Sequence, residues 1–281
     1  MNIVVTGGSG KAGRWVVSDL RGKGHDVLSV DLTRDASAAG PSVIADLADL
    51  GQCHDVIAGA EAVVHLTAIP GPGLRADGET FRANMLSTYN VFSAAVACGV
   101  GRVVWASSEM VMGLPFGTKA PPFAPVDETI EPQPESSYAL SKLLGEEAAR
   151  QLSRRSGIPF VGLRISNIME PADYAAFPSY WGDVELRKWN LWSYVDVRDV
   201  AGVVRCSLEA PIEGAEVCIV AAADSVMPHA SADLMAQVFP LVQLRRPLEG
   251  RETLLCIARA RRVLGYRPEH RWQDHVAAPE G

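Results

Sequence analysis

Short apolar runs rich in β-branched residues alternate along the first two thirds of the chain with longer segments whose apolar positions recur at helical spacing. The apolar runs lie at residues 3–5, 27–30, 42–45, 62–66, 102–106, 159–164 and 194–197. Helices are predicted at 12–22, 79–98, 137–155 and 197–209. Repeated strand-helix-strand units place the strands in one parallel sheet with helices on both faces. The pattern therefore predicts an α/β, doubly wound fold.

A glycine-rich turn follows the first predicted strand and precedes the first predicted helix. It reads Thr6-Gly7-Gly8-Ser9-Gly10-Lys11-Ala12-Gly13. Gly7, Gly10 and Gly13 let the chain turn tightly, the backbone approach a pyrophosphate, and the helix pack on the strand with its N-terminus facing the phosphates. This context indicates a dinucleotide-binding loop of the Rossmann type, to which we also assign Lys11 and Ala12.

A carboxylate ends the second predicted strand. Asp31 lies 18 residues beyond the last glycine of the loop, where it can accept hydrogen bonds from the adenosine ribose and repel a 2′-phosphate. The sequence thus favours NAD over NADP, although Lys11 and Arg34 can each partly neutralise a 2′-phosphate. Asp46 and Leu47 follow the third strand, where they meet the adenine edge unless Asp46 is an ordinary helix cap.

Composition narrows the class of partner. The chain has 281 residues, 48% hydrophobic side chains and a formal net charge of −7, enough to bury a full core. No Lys/Arg block exceeds two residues, which argues against binding to nucleic acid or membrane. The first apolar run begins at residue 3, leaving no room for a signal peptide, so we expect a cytoplasmic protein. The scattered cysteines predict reduced thiols, with neither a disulfide nor a metal: Cys53, Cys98, Cys206, Cys218 and Cys256.

Tyr138 and Lys142 are four residues apart in a predicted helix and therefore share one face. An ammonium beneath a phenol lowers the phenol's pKa, so the pair has the form of a general acid/base. The spacing alone is common on solvated helix faces. The nucleotide loop gives it a reaction to assist, because hydride transfer at a carbinol carbon requires a proton to move at the oxygen.

These features together resemble the extended short-chain dehydrogenase/reductase family, also called the NAD-dependent epimerase/dehydratase family. The resemblance covers nearly the whole length, with the motifs in the family's order. They are T-G-G-S-G-K-A-G at Thr6, H-L-T-A at His65, A-N-M-L-S-T around Asn84, A-S-S-E-M-V-M-G at Ala106, P-E-S-S-Y-A-L-S-K at Pro134, L-R-I-S-N at Leu163 and Y-V-D-V-R-D-V-A at Tyr194.

The resemblance implies a catalytic Ser-Tyr-Lys constellation. Tyr138 would exchange a proton with the substrate oxygen, Ser108 would hydrogen-bond that oxygen, and Lys142 would hold the nicotinamide ribose and lower the Tyr138 pKa. Ser108 is chosen over Ser107 because 111–113 then match the family's V-Y-G. His65 is expected to be structural or to line the cofactor. The implied cofactor contacts also include Leu66, Thr67, Ala68, Asn84 and Ile165.

Departures from the family's motifs bear on the substrate. Glu109 falls at the acid position of the dehydratases, but Met110 replaces their base, so dehydration is disfavoured. Glu109 either touches the substrate or is a partly solvated loop residue. Only 26 residues separate Asn167 from Tyr194, which is tight for a nucleotide. Arginines resembling those of the nucleotide-sugar epimerases either bind a diphosphate or are plain surface charge: Arg245, Arg246 and Arg251.

The short substrate segment also resembles that of hexuronate dehydrogenases. Their carboxylate-binding Arg is missing, since Ala175 and Ala176 follow Tyr174, and a uronate would need Arg187 or Lys188 instead. Nearby aromatic side chains either stack on a sugar or form the core of a small lobe: Tyr180, Trp181, Trp189 and Trp192. The expected substrate contacts are Ser107, Ser108, Glu109, Asn167, Trp192 and Arg245.

We therefore expect one domain over 1–281, a Rossmann sheet with a small C-terminal substrate lobe. Residues 1–166 mainly bind the dinucleotide, 167–192 and 221–281 mainly form the lobe, and 193–220 return to the sheet. The expected function is NAD-dependent oxidation or epimerisation of a sugar hydroxyl. The alternatives are a uronate or aldose 1-dehydrogenase that releases NADH, and a non-catalytic NAD(P) sensor. Helices 79–98 and 137–155 predict a homodimer through a four-helix bundle.

Overall fold

The computed structural model describes residues 1–34, 40–117 and 119–277. Within these residues a seven-stranded parallel sheet has the order β10-β7-β5-β4-β1-β2-β3. Its strands are β1 (Asn2–Thr6), β2 (Asp26–Asp31), β3 (Ser42–Ile44), β4 (Ala62–His65), β5 (Arg102–Ser108), β7 (Phe160–Ile165) and β10 (Ala215–Val220). Two small parallel pairs join β6 (Phe123–Ala124) to β11 (Gln243–Leu244) and β8 (Ile168–Met169) to β9 (Val195–Asp196).

Helices cover both faces of the sheet. They are α1 (Lys11–Gly22), α2 (Leu50–Ile57), α3 (Asp77–Ala97), α4 (Ser137–Ser156), α5 (Val197–Glu209), α6 (Ser231–Val238) and α7 (Ala258–Leu264). The buried sides of α1 and α5 share one apolar core with the sheet, and α2, α3 and α4 share a second core on the other face. This arrangement confirms the predicted doubly wound α/β fold of the Rossmann type.

The two cores explain the uninterrupted apolar sequence of the central strands. Successive side chains of a strand point to opposite faces, so Ile3 and Val5 enter the core beneath α1 and α5 while Val4 enters the other. All three are buried. A strand covered on both faces needs an apolar residue at every position, which is why β1 shows no polar alternation.

Three elements differ from the sequence prediction in ways that matter for the sheet and its helices. Residues 194–197 were predicted as a sheet strand, but they supply only β9, which pairs with β8 outside the seven-stranded sheet. The last strand of the sheet along the chain is β10, which the apolar pattern did not reveal because it is a half-exposed edge strand containing Glu216. The short helix α2 was also missed, and its N-cap is Asp49, whose side chain accepts a hydrogen bond from the Gln52 backbone.

The strand order reverses at β1, which lies between β2 and β4. In open α/β sheets, ligands bind at the carboxyl ends of the strands where the order reverses. Gly7 follows β1 and lies against the loop that follows β4. A Cβ added at Gly7, where φ is +71°, would lie 2.6 Å from the Thr67 nitrogen, so a side chain has no room there. The two loops thus meet at the expected ligand crevice.

Aromatic side chains fill much of the region beyond residue 167. The rings of Trp181 and Trp272 lie 5.1 Å apart and those of Phe177 and Tyr194 5.4 Å apart. The side chain of Trp192 is fully buried. Most of the aromatic cluster therefore forms a packed core. The boundaries predicted for the lobe stay a prediction. Within the described residues, the helices are too short or too polar to cross a bilayer.

Candidate active site

A cavity of about 990 Å³ lies at the carboxyl ends of the strands, on both sides of the reversal. This volume is at the upper end of the roughly 300–1,000 Å³ typical of small-molecule sites. Every residue that the sequence analysis assigned to the cofactor lines it. They are Gly7, Gly10, Lys11, Ala12, Gly13, Asp31, Asp46, Leu47, Leu66, Thr67, Ala68, Asn84, Tyr138, Lys142 and Ile165.

The glycine loop forms one wall of the cavity. The Gly10 backbone donates to the Gly7 carbonyl over 3.0 Å, and α1 begins directly afterwards. A Cβ at Gly13 would lie 1.9 Å from the Gly7 oxygen, so this close packing of helix on loop requires glycine. The N-cap Gly10 carries no side-chain acceptor, which leaves the first amides of α1 available to an anion. The loop therefore fits a pyrophosphate.

Asp31 is held at the end of β2 by two backbone amides. Its Oδ2 accepts from the Ser9 nitrogen over 3.0 Å and its Oδ1 accepts from the Leu32 nitrogen over 2.7 Å. The two cations weighed against it have other partners: Lys11 Nζ lies 2.6 Å from Asp173 Oδ2, and Arg34 donates to the Ser42 carbonyl over 3.1 Å. The arrangement fits NAD better than NADP.

Two further residues shape the cofactor side of the cavity. Asn84 accepts from the Ile69 nitrogen over 2.8 Å, so it holds the loop after β4 in place. The buried Thr67 Oγ1 has no hydrogen-bond partner among the described residues. Buried hydroxyls are rarely left unpaired, so this atom suits a polar group of a ligand. Within the same residues, no group of three or more His, Cys, Asp or Glu side chains is arranged for a metal ion.

The two serines at the end of β5 point in different directions. Ser107 Oγ donates to Glu146 Oε1 over 2.6 Å, and Glu146 is also held by Arg164 at 2.8 Å. Ser108 accepts from the Met110 nitrogen over 3.2 Å and hydrogen-bonds Tyr138. Both serines line the cavity, but only the hydroxyl of Ser108 is directed at Tyr138. The alternation of side chains along the strand accounts for the difference.

Tyr138 and Lys142 share one face of α4, as their spacing predicts. The helix begins at Ser137, and its N-cap Ser136 accepts from the Ala139 nitrogen over 3.1 Å. Lys142 Nζ lies 5.8 Å from the centre of the Tyr138 ring and donates to the Ala106 carbonyl over 2.8 Å. Both side chains are buried, and burial lowers the pKa of Lys142 to about 8.

The pKa of Tyr138 is raised, opposite to the direction expected from the neighbouring Lys142. Burial is the main cause, the hydrogen bond with Ser108 opposes it, and the charge of Glu109 adds to it. Lys142 is not among the causes of this shift, since its ammonium donates to the Ala106 carbonyl, so the lowering of the Tyr138 pKa by Lys142 stays a prediction. In this state the site stores a protonated phenol.

Glu109 lies in the cavity wall directly after Ser108 and is 3% exposed. Its Oε1 accepts from Asn190 Nδ2 over 3.2 Å. Burial raises the pKa of its carboxyl to about 7, and Ser166, Asn190 and Arg187 oppose that rise. The structure therefore excludes the alternative that Glu109 is a partly solvated loop residue.

Two predicted substrate residues are not brought to the cavity, whereas Asn167 lines it. Trp192 is buried and donates from Nε1 to the Val184 carbonyl over 2.7 Å. Arg245 is exposed, and it pairs with Asp127 at 2.8 Å. The resemblance to the epimerase arginines did not reveal that Asp127, from a distant loop, would form an ion pair with Arg245. These two assignments are corrected.

The structure also adds lining residues that sequence reasoning missed: Arg82, Met110, Pro115, Ser166 and Ile168. Trp189, one of the aromatic residues considered for stacking on a sugar, lines the cavity as well. Ser166 stands beside Asn167 in the L-R-I-S-N motif, so its position was a usable signal. His65 has a structural role in the fold, since it bonds Thr6 at 2.7 Å and Thr88 at 3.2 Å. Burial lowers the pKa of its imidazole to about 3, so it stays neutral.

Comparison with known proteins places these features in context. The sequence model of the NAD dependent epimerase/dehydratase family matches residues 3–221. An L-arabinose 1-dehydrogenase (NAD(P)(+)) from Haloferax volcanii is 33% identical over 170 residues, 58% of this chain and 65% of that protein. A uronate dehydrogenase from Pseudomonas putida is 30% identical over 172 residues, 59% of this chain and 60% of that protein. The chain thus matches less than two thirds of the length of either relative.

Solved structures extend the comparison over the whole fold. A short-chain dehydrogenase/reductase superfamily protein from Agrobacterium tumefaciens, with bound NAD, superposes with a TM-score of 0.75 at 26% identity and covers 97% of this chain and 94% of its own. A UDP-glucose 4-epimerase from Thermotoga maritima has a TM-score of 0.75 at 21% identity over 98% and 96%, and shows the shared fold alone. The chain belongs to the NAD-dependent epimerase/dehydratase family.

Proposed function

We propose that this protein is an NAD-dependent enzyme that oxidises a hydroxyl group of a sugar. One observation carries the proposal: a single cavity joins the glycine loop and Asp31 to the buried group of Ser108, Tyr138 and Lys142. Sugar dehydrogenases among the relatives support the choice of substrate class. A non-catalytic NAD(P) sensor is disfavoured because a cofactor site alone does not need a buried phenol, hydroxyl and ammonium.

The residues divide the chemistry in a simple way. NAD, when bound, supplies the hydride acceptor. Ser108 holds the substrate hydroxyl by a hydrogen bond. Tyr138 first loses its own proton to solvent, and the resulting phenolate accepts the proton that leaves the same oxygen as the carbon is oxidised. Lys142, at 5.8 Å from the Tyr138 ring, supplies a nearby cation that favours this phenolate before the substrate proton arrives.

We favour a dehydrogenase over an epimerase of nucleotide sugars. The arginines that would hold a diphosphate are engaged elsewhere, Arg245 with Asp127 at 2.8 Å and Arg246 with Glu252 at 2.5 Å. None of these four residues lines the cavity. Without those arginines, binding of a sugar nucleotide lacks the charge-assisted hydrogen bonds that usually anchor its phosphates.

The direct test follows NADH. Purified protein is incubated with NAD and a panel of free sugars and sugar nucleotides. The amount of NADH, from its absorbance, and the amount of sugar product are measured in the same samples. We expect NADH to accumulate in a one-to-one ratio with an oxidised sugar. Interconversion of two sugars without NADH would favour the epimerase, and no reaction with any sugar would contradict the proposal.

We further propose a homodimer. The long helices α3 and α4 expose apolar side chains that a single chain leaves uncovered: Leu86, Tyr89, Leu140 and Leu144. Exposed apolar side chains grouped on neighbouring helices commonly mark a protein interface. The cytoplasmic location expected from the sequence stays a prediction.

A further inference from the structure

Four buried polar side chains gather at one end of the cavity, beside Ser108. They are Glu109, Ser166, Arg187 and Asn190, each at least nine-tenths buried. Ser166, Asn190 and the Asn167 backbone form hydrogen bonds with the Glu109 carboxyl, and Arg187 adds a positive charge near it. The cluster therefore holds one carboxylate in a fixed place in the cavity wall, next to Ser108.

Only part of this cluster faces the cavity. Glu109 and Ser166 line it together with Ser108, whereas Arg187 and Asn190 lie behind them. Arg187 donates to the Ser193 carbonyl over 3.1 Å, and its guanidinium lies 5.4 Å from the Trp189 ring. Arg187 is thus a buried counter-charge for Glu109, and Asn190 holds Oε1 of the same carboxyl. These two residues fix the Glu109 carboxyl in the cavity wall beside Ser108.

The chemistry of the two side chains that line this end of the cavity, Glu109 and Ser166, is that of hydroxyl recognition. A carboxylate oxygen accepts hydrogen bonds, and a serine hydroxyl both donates and accepts. A carboxylate or phosphate on the substrate would instead meet the like charge of Glu109. Of the cations that line the cavity, Lys11 is paired with Asp173 at 2.6 Å and Lys142 is bonded to the Ala106 carbonyl, which leaves Arg82 as the cation to be tested.

We propose that Glu109 and Ser166 bind a hydroxyl group adjacent to the one that is oxidised, and that the substrate is an uncharged aldose, not a uronate or a sugar phosphate. This inference rests on the proposed function. It makes Glu109 the residue that selects among sugars, by attraction for a hydroxyl and repulsion of an acid.

The experiment compares matched sugars that differ only at C6, which carries a hydroxymethyl group in the neutral sugar and a carboxylate in its acid. The pairs are galactose with galacturonate and glucose with glucuronate. Initial rates of NADH formation are measured at about pH 9, where a carboxyl with a pKa of about 7 is ionised. We expect the wild-type kcat/KM for the neutral sugar to exceed that for its acid by about tenfold or more. Loss of a charge-assisted hydrogen bond should make Glu109→Gln raise the KM for the neutral sugar by about 10- to 100-fold, with a smaller change in kcat.

The controls separate this effect from damage to the fold. Ser166→Ala should raise the same KM to a lesser degree, and Glu213→Gln, a remote exposed carboxylate, should leave both constants unchanged. Calorimetric titration of each sugar into the enzyme–NADH complex reports binding without turnover. Thermal unfolding of each variant identifies any that fails to fold, in which case Ser166→Ala carries the test.

Several outcomes would overturn the inference. A wild-type enzyme with a higher kcat/KM for the acids than for the neutral sugars would overturn it. If Arg82→Gln then lost that preference for the acids, Arg82 would be the cation that binds their carboxylate. If the ratio of kcat/KM for the neutral sugar to that for its acid were the same in Glu109→Gln as in wild type, Glu109 would contact water and not the sugar. NADH formed only from acids refutes this inference and leaves the proposed function standing, whereas no NADH from any sugar refutes both.

Discussion

Lys142 lies 5.8 Å from the centre of the Tyr138 ring and gives its hydrogen bond to the Ala106 carbonyl, 2.8 Å away. Burying an ammonium beside a phenol costs free energy of folding when either group is charged, because burial disfavours the charged form of each. Burial accordingly raises the pKa of Tyr138 and lowers that of Lys142 to about 8. The buried Lys142 ammonium of the proposed catalytic pair is therefore a destabilising element that the rest of the fold supports, beside a phenol that stays neutral.

This cost predicts a gain in stability when the ammonium is removed. The folded-state pKa of Lys142, about 8, lies below the ordinary lysine value of 10.5, so the protonated group costs stability below about pH 8 and the cost fades as pH rises toward 10.5. At about 1.4 kcal/mol per pKa unit, less about 1 kcal/mol for the lost hydrogen bond, Lys142→Met should gain about 2 kcal/mol of unfolding free energy near pH 7.

Chemical denaturation at several pH values measures this gain. The advantage of Lys142→Met should stay constant below about pH 8 and shrink steadily between about pH 8 and pH 10.5, while its NADH production falls far below wild type. The exposed Lys23→Met serves as the matched control, with no pH-dependent difference. A Lys142→Met protein that is less stable than wild type at pH 7 would refute the destabilising role.

Ser108 and Glu109 should shift the pH profile of sugar oxidation in opposite directions. The rate should rise with pH as Tyr138 loses its proton, and Ser108 lowers the pKa of that phenol while Glu109 raises it. The rise should occur at lower pH in Glu109→Gln and at higher pH in Ser108→Ala. Profiles of kcat/KM against pH test this, and shifts in the same direction would contradict the assigned contacts.

Asp31 should govern the choice between NAD and NADP. Replacing its carboxylate in Asp31→Asn removes the repulsion of a 2′-phosphate and weakens the bond to the ribose, so the NAD-to-NADP ratio of kcat/KM should fall by about 10- to 100-fold. Titration calorimetry with NADH and NADPH gives the same ratio without turnover. Asp46→Asn, also in the cavity, is the control and should affect both cofactors alike. An unchanged ratio in Asp31→Asn would show that other groups select the cofactor.

The proposed dimer predicts an effect confined to one surface. Leu144 on α4 is 38% exposed and Leu241, in a loop elsewhere, is 98% exposed. Leu144→Glu would place a charge in the proposed apolar interface and should give a monomer, whereas Leu241→Glu should leave the dimer intact. Light scattering after size-exclusion chromatography distinguishes them. A wild-type monomer over the whole accessible concentration range would contradict the proposal.

The parts of the site that could be predicted are those whose geometry is determined by short, local segments of the chain. The glycine loop needs only a strand, a turn and a helix, and Tyr138 with Lys142 needs only one helical face. Asp31 follows from the end of a strand. In each case the local backbone geometry places the side chains at the carboxyl ends of the sheet, where the strand order reverses.

The parts that could not be predicted depend on distant pairings. Asn190 is 81 residues from the Glu109 carboxyl that it holds, and Arg245 is 118 residues from Asp127. Neither pairing leaves a periodic signal in the sequence. Trp192 was also unpredictable, because it and Leu191 both take a positive φ of 55°, a conformation that bulky residues seldom adopt. This turn accompanies the burial of its indole away from the cavity.

The central claim is that the Tyr138 phenol carries the proton during sugar oxidation, and Tyr138→Phe tests it most directly. The substitution removes one oxygen and keeps the ring that packs in the site. With the best sugar found, kcat should fall by about 100- to 10,000-fold, while calorimetric NAD affinity and thermal stability stay close to wild type. Turnover within about twofold of wild type would contradict the account.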